Sequence, residues 1–349
     1  MNRAVTCSIL ALTVTLPAVS QANAGQRPDA GSPRVYSLVL TPAHLDPTRH
    51  DTLLPQPDTL GEADGASHYI KAAQTLPPDL DEQQIHSWLK GPLADMPQPQ
   101  AQQIIQQTQT SLDHAARGAK CKTCNWPPVK PGTMPAHLTE CRMLAELMNL
   151  RARLQIAQGR FDQAIATTRT TLAMAKHVGE APTTIQGLTG VAMAAMTLRR
   201  VEDLAQIKGA PNLYEAMKAL PRPLVDLNVP MSAELNSLES NKRFNVLTRA
   251  VMRRHLQSSF DRVRLLMHRQ DATVAALQVI EGLRHYAATH DSRLPAKLDH
   301  ITDIEIPDNP ATQQPFPYEF HGTQAVLDVP APKGGTPRDA VRYQIVVAP

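Results

Sequence analysis

Residues 143–175 read MLAELMNLRARLQIAQGRFDQAIATTRTTLAMA, and the spacing in this stretch decides the fold. Apolar side chains recur at Met143, Leu147, Leu150, Leu154 and Ala157, in alternating steps of four and three. That rhythm places them on one stripe of an α-helix. Gly159-Arg160 then breaks the period, because Gly is costly inside a helix and cheap just past its C-terminal end. A second stripe starts at once, through Phe161, Ile165, Thr168, Leu172 and Ala175. Two helices joined by so short a turn must lie antiparallel.

Downstream, a third helix is predicted from near Pro182, a residue tolerated in a first helical turn. Between Ile185 and Leu198 it is apolar on nearly every side, which marks a central helix. Gly187, Gly190 and Ala194 leave room there for a neighbouring backbone. About a dozen apolar residues fall short of the roughly 20 that a bilayer requires. The phrase from Ala157 to Ile165 resembles the helix-turn-helix junction of tetratricopeptide repeats, where a small residue lets two helices approach and Gly makes the corner. One such unit is recognisable, and a free-standing solenoid needs about three. The predicted fold class is therefore mainly α, an irregular helical bundle with a tetratricopeptide-like helix pair.

Composition supports packing through small side chains. Of 349 residues, 42% are hydrophobic but only 4% aromatic, and the thirty prolines cluster outside the helical centre. A formal charge of +3 is too close to neutral to imply a nucleic-acid partner.

Toward the N-terminus, residues 1–24 carry Arg3, an apolar run from Ile9 to Val19, and Ala22-Asn23-Ala24 before Gly25. This is the pattern of a secretory signal peptide. It predicts an extracytoplasmic chain, periplasmic or secreted, cleaved at about Ala24. Residues 25–67, rich in Pro, Asp, Thr and Gly, are expected to be an extended or disordered linker, with a short strand at Tyr36–Leu40. A helical domain over 68–270 follows. It opens with a short helix around Tyr69-Ile70 and another capped by Asp79 or Asp81. A Gln-rich helix is expected from Pro97 to Arg117. The remainder, 271–349, reads as a small α+β module. Its helix at Thr273–Thr289 precedes three strands at Phe316–Phe320, Ala325–Val329 and Tyr343–Val347, an antiparallel meander.

Two longer resemblances can be placed on these residues. His177-Val178-Gly179-Glu180-Ala181-Pro182-Thr183, Gln186-Gly187-Leu188, Gly209-Ala210-Pro211-Asn212-Leu213-Tyr214 and Leu220-Pro221-Arg222-Pro223 resemble a family of uncharacterised exported proteins from planctomycete-type bacteria. Cys124-Asn125-Trp126 belongs to the same likeness, with Asn where that family usually has Asp. It covers most of the chain from about Tyr69 and implies no activity. Separately, Tyr286–Asp291, Leu294-Pro295, Pro307–Pro310 and Pro315–Tyr318 are similar to the C-terminal module of type II secretion pseudopilins. The long hydrophobic assembly helix of a pseudopilin has no counterpart, so the likeness does not imply polymerisation.

The sharpest chemical constellation is Cys121-x2-Cys124-x12-His137-x3-Cys141. Three thiolates and an imidazole suit tetrahedral zinc, and the spacing falls within the zinc-finger range. The prolines between Cys124 and His137 argue against the usual finger helix. In an oxidising compartment a Cys121–Cys124 or Cys124–Cys141 disulfide competes with zinc, as do unpaired thiols. His285, His290 and Asp291 lie close in sequence, where imidazole beside carboxylate can do acid–base work or simply mark an exposed helix end. His177 suits a helix C-terminus as a dipole partner.

Residues 241–269 carry Arg249, Arg253, Arg254, Arg262, Arg264 and Arg269 among Val246, Leu247, Val251, Leu256, Phe260 and Val263. A basic amphipathic helix can lie on an anionic membrane surface, or its apolar face can simply be core. No nucleophile elbow or Gly-rich phosphate loop occurs. The expected function is that of a non-catalytic interaction or envelope-organising protein, binding a peptide or protein partner through a helical groove. The competing readings are an extracytoplasmic hydrolase or metal-dependent enzyme with its site in the helical cleft, and a zinc- or thiol-dependent module at Cys121–Cys141.

Overall fold

The computed structural model describes residues 31–129, 133–240 and 245–348, so the signal-peptide expectation for residues 1–24 lies outside the described residues. In chain order the elements are β1 (Arg34–Leu40), β2 (Gly61–Asp64), α1 (Gly65–Gln74), α2 (Glu82–Lys90), α3 (Gln98–Gln107), α4 (Gln109–Gly118) and β3 (Cys121–Thr123). They continue as α5 (Leu138–Ala157), α6 (Phe161–Gly179), α7 (Thr184–Ala205), α8 (Tyr214–Lys218), α9 (Asn228–Ser240), α10 (Val246–Thr289), β4 (Tyr318–His321), β5 (Gln324–Val329) and β6 (Val341–Val347).

The helix pair read from the periodicity is α5 and α6. Gly159 sits at φ 69°, and the Arg160 amide donates to the Gln155 carbonyl at 2.8 Å. A left-handed Gly closing the last turn in this way satisfies carbonyls that the helix end would leave bare. Leu147, Leu150 and Leu154 are almost wholly buried, each stabilising the fold by roughly 2 kcal/mol relative to exposure. The third helix, α7, packs across α6 with no space to spare. A methyl group on Gly190 would stand 2.3 Å from Gly179 Cα and 2.5 Å from the Ala175 carbonyl oxygen. Glycine at both positions is what brings the two backbones together. The fold is mainly α, with a small sheet-bearing module at the C-terminal end.

Three findings depart from the sequence expectation. The Gln-rich stretch is two helices, α3 and α4, meeting at Thr108, whose hydroxyl donates to the Ile104 carbonyl at 2.8 Å. The stretches on either side of 270/271 form one helix, α10, of 44 residues. Nothing interrupts its backbone at that point, since residues 265–275 contain neither Gly nor Pro. Finally, within the segment 25–67 expected to be extended, β1 matches the strand expected at Tyr36–Leu40, while β2 is an addition. The first of these belongs to the C-terminal sheet, whose order is β1-β6-β5-β4.

In that sheet the expected meander is present as β4, β5 and β6, antiparallel, with Leu327 opposite Tyr343. β1 adds to its edge in parallel, with Tyr36 opposite Tyr343 and Leu38 opposite Ile345. The inward residues Tyr36, Leu38 and Leu40 alternate with outward ones, the period of a half-buried strand. Charged side chains tie the sheet to the bundle. Arg199 of α7 lies 3.9 Å over the Tyr36 ring and pairs with Glu202 at 2.9 Å. Glu202 also accepts the Tyr343 hydroxyl at 3.0 Å. Beside them Arg153 and Arg200 share Asp203, at 3.3 and 3.0 Å. Each buried charge has an opposite charge beside it, as the cost of removing it from water requires. No helix among the described residues is long and apolar enough to cross a membrane.

Candidate functional site

Among the described residues, two places gather chemically capable side chains. The first surrounds the cysteines. β2 and β3 pair in parallel, with Gly61 opposite Cys121, and the Cys121 thiol donates to the Arg117 carbonyl at 3.4 Å. Cys141 lies in the first turn of α5, fully buried. Between these elements Tyr69 of α1 fills the slot left by Gly118, whose missing side chain would stand 2.8 Å from the ring. The Tyr69 ring stacks on Trp126 at 5.8 Å, and its hydroxyl lies 2.9 Å from His177 Nδ1. The Trp126 indole in turn donates to the His177 carbonyl at 2.9 Å.

Burial governs the chemistry here. It pushes the Cys141 thiol up to about 12 and raises Cys121 and Cys124 as well, with the Asp64 carboxylate adding to both of the latter. All three thiols therefore stay protonated near neutral pH and are poor nucleophiles. Burial also lowers His177 to about 4, with Lys176 adding to the effect. His177 is thus neutral, which corrects its expected role as a cationic helix-dipole partner: its imidazole is spent on Tyr69 inside the bundle. Cys121, Cys124 and Cys141 are free thiols. Among the described residues no group of three or more His, Cys, Asp or Glu side chains is placed to hold a metal ion. His137 adopts a left-handed backbone (φ 61°) at the start of α5 and lines a separate proline-rich depression with Trp126, Pro127 and Pro135.

The second place is a cleft of about 420 Å³ at the α5–α6 corner. One wall is the turn itself, Gly159 to Gln163, and the other is the segment after β1, with His44, Asp46 and Arg49. Gly209, Pro211 and Asn212 close one end. Arg49 joins the walls, reaching Asp51 at 2.7 Å and Asp162 at 2.6 Å, and these contacts hold its guanidinium firmly protonated. The Thr48 hydroxyl and amide donate to Asp46 and keep its carboxyl ionised.

His285 stands behind His44, with the rings 6.2 Å apart and edge-on. Its Nδ1 accepts the Leu45 amide at 3.1 Å, so in the neutral ring the proton sits on Nε2 and is donated to Asp303 Oδ2 at 2.5 Å. Both nitrogens are thereby committed. His290 instead stacks on Tyr286 at 3.8 Å, and Asp291 lies just past the helix end at φ 50°. The trio His285, His290 and Asp291 therefore does not converge on one point.

Tyr69, Trp126, Asp162 and the His44–Arg49 segment were not legible as site residues. The one sequence signal was the clustered charge of Asp46, Arg49 and Asp51 inside a Pro/Thr-rich stretch. Comparison of the chain with known protein families, with curated proteins and with solved structures yields no match.

Proposed function

We propose that this chain is an exported, non-catalytic interaction protein that takes a polar peptide segment of a partner protein into the cleft between the α5–α6 turn and the segment after β1. The observation that supports this reading is the state of the charges in the cleft. Arg49 is neutralised by Asp51 and Asp162, and Asp46 is held ionised by Thr48. An acid–base catalyst needs a carboxyl or imidazole whose proton can move near the working pH. The Asp46 carboxylate is held in its charged form, and His285 behind the cleft has both nitrogens engaged. What such a wall offers is hydrogen bonding, which suits peptide amides and polar side chains. Export rests on the pattern of residues 1–24.

The test is capture from cell-envelope extracts by the immobilised chain and by a Gln163→Trp variant. Gln163 lies exposed on the cleft wall, so an indole there fills the cleft without disturbing the core. A partner retained by the parent and lost from the variant is expected. A capture profile that the variant leaves unchanged would overturn the proposal.

A further inference from the structure

α10 presents two stripes that the sequence alone runs together. Leu256, Phe260, Val263 and Met267 follow steps of four, three and four, and this stripe packs against the core. On nearly the opposite face, Leu247, Val251, Arg254, Ser258 and Arg262 follow steps of four, three, four and four. All five are exposed, Leu247 at 75% and Val251 at 63%, and Val246 beside them reaches 81%. The first fully buried side chain of the helix is Phe260. The turns before it, about 20 Å of helix, therefore carry no buried side chain.

From Val246 to Met267 the helix holds five arginines against one acid, Asp261. Arg253 reaches Glu239 of α9 at 3.4 Å and Arg264 reaches Asp261 at 3.0 Å. We propose that this end of α10 lies on an anionic phospholipid bilayer, with Leu247 and Val251 entering the headgroup–acyl boundary and Arg254 and Arg262 meeting lipid phosphates. Aliphatic and guanidinium groups on one convex helix face match a surface that is apolar beneath and negative above. A soluble polyanion would use the arginines and leave the leucine and valine without a role. A second copy would set five arginines against five. The proposal is independent of the cleft reading and can fail without it.

The experiment is sedimentation of the full-length chain with vesicles of pure phosphatidylcholine and with vesicles containing about one third phosphatidylglycerol. Binding to the anionic vesicles is expected to exceed binding to the neutral ones by at least about tenfold and to fade in high salt. Arg254→Gln/Arg262→Gln should weaken it by roughly twenty-five-fold, about fivefold per arginine. Leu247→Ser/Val251→Ser should weaken it by about tenfold or more. Lys71→Gln/Lys120→Gln, equal in charge change but placed elsewhere, should leave it unaltered. All six positions are exposed, so the variants keep the fold, checked by circular dichroism. Equal binding to both vesicles, or equal loss in the lysine control, would overturn the proposal. So would binding to heparin that survives the serine variant with no vesicle binding, or self-association that the serine variant abolishes.

Discussion

Arg284 and Glu281 meet at 2.7 Å on α10 with neither side chain reaching solvent. The pair is a junction between three parts of the chain. Arg284 donates to the carbonyls of Thr41, Ala210 and Pro211, while Glu281 accepts the Leu213 amide at 2.9 Å. The strand end after β1 and the loop before α8 are thus fastened to α10 by backbone groups that would otherwise be bare. Arg284→Leu should destabilise the protein by about 3–5 kcal/mol, read from the urea midpoint, because a buried carboxylate and three carbonyls lose their partner. Glu281→Gln should cost less, since the amide still accepts from Leu213. The double variant should fall well short of the sum of the two.

The crossing of α6 and α7 gives a second prediction. With Gly179 Cα 2.3 Å from the place a methyl would occupy, Gly190→Ala forces two backbones apart. A loss of about 3 kcal/mol or more is expected in thermal or urea unfolding, because backbone cannot step aside as a flexible side chain can.

His177 predicts an acid sensitivity. Its folded-state value of about 4 lies below the ordinary 6.5. Below pH 6.5 the unfolded chain therefore takes up a proton that the folded chain refuses. The stability from this group is complete above pH 6.5 and is lost as pH falls toward 4, by up to ~3 kcal/mol. Urea unfolding across that window should show the loss, and His177→Gln should remove that part of the pH dependence.

Asp271 acts with the opposite sign. Its Oδ1 is buried without a hydrogen-bond partner, and burial raises the carboxyl to about 6, with His268 pulling the other way. The folded state thus binds a proton between about pH 4 and 6 that the unfolded state has released, so this group burdens the fold above pH 6 and ceases to below about 4. Asp271→Asn should raise stability at pH 7.5 by ~1 kcal/mol after solvent screening and change little at pH 4. Differential unfolding at the two pH values checks this.

The thiols supply a chemical prediction. With Cys121, Cys124 and Cys141 held protonated by burial, alkylation of the reduced native chain at pH 7.5 should run about a hundredfold or more slower than in urea. Mass mapping of the three sites over time measures it. Fast native labelling of Cys141 would contradict the burial that sets its chemistry.

The sequence by itself determined the helical centre. The stripes through Leu147 and Leu172, the corner at Gly159 and the close approach at Gly190 depend on spacing within a few residues, and local spacing is what a helix records. It also marked the three C-terminal strands, because each alternates on its own. Only the tertiary structure decided the rest. β1 owes its place to a parallel partner about three hundred residues away, and Tyr69 meets His177 across 108 positions. A single sequence carries no trace of such pairings, because they are fixed by which faces remain to be covered once the helices have packed. The basic stretch before Arg269 divides for the same reason: Phe260 and Val263 find the core while Leu247 and Val251 extend past it, and periodicity treats both alike.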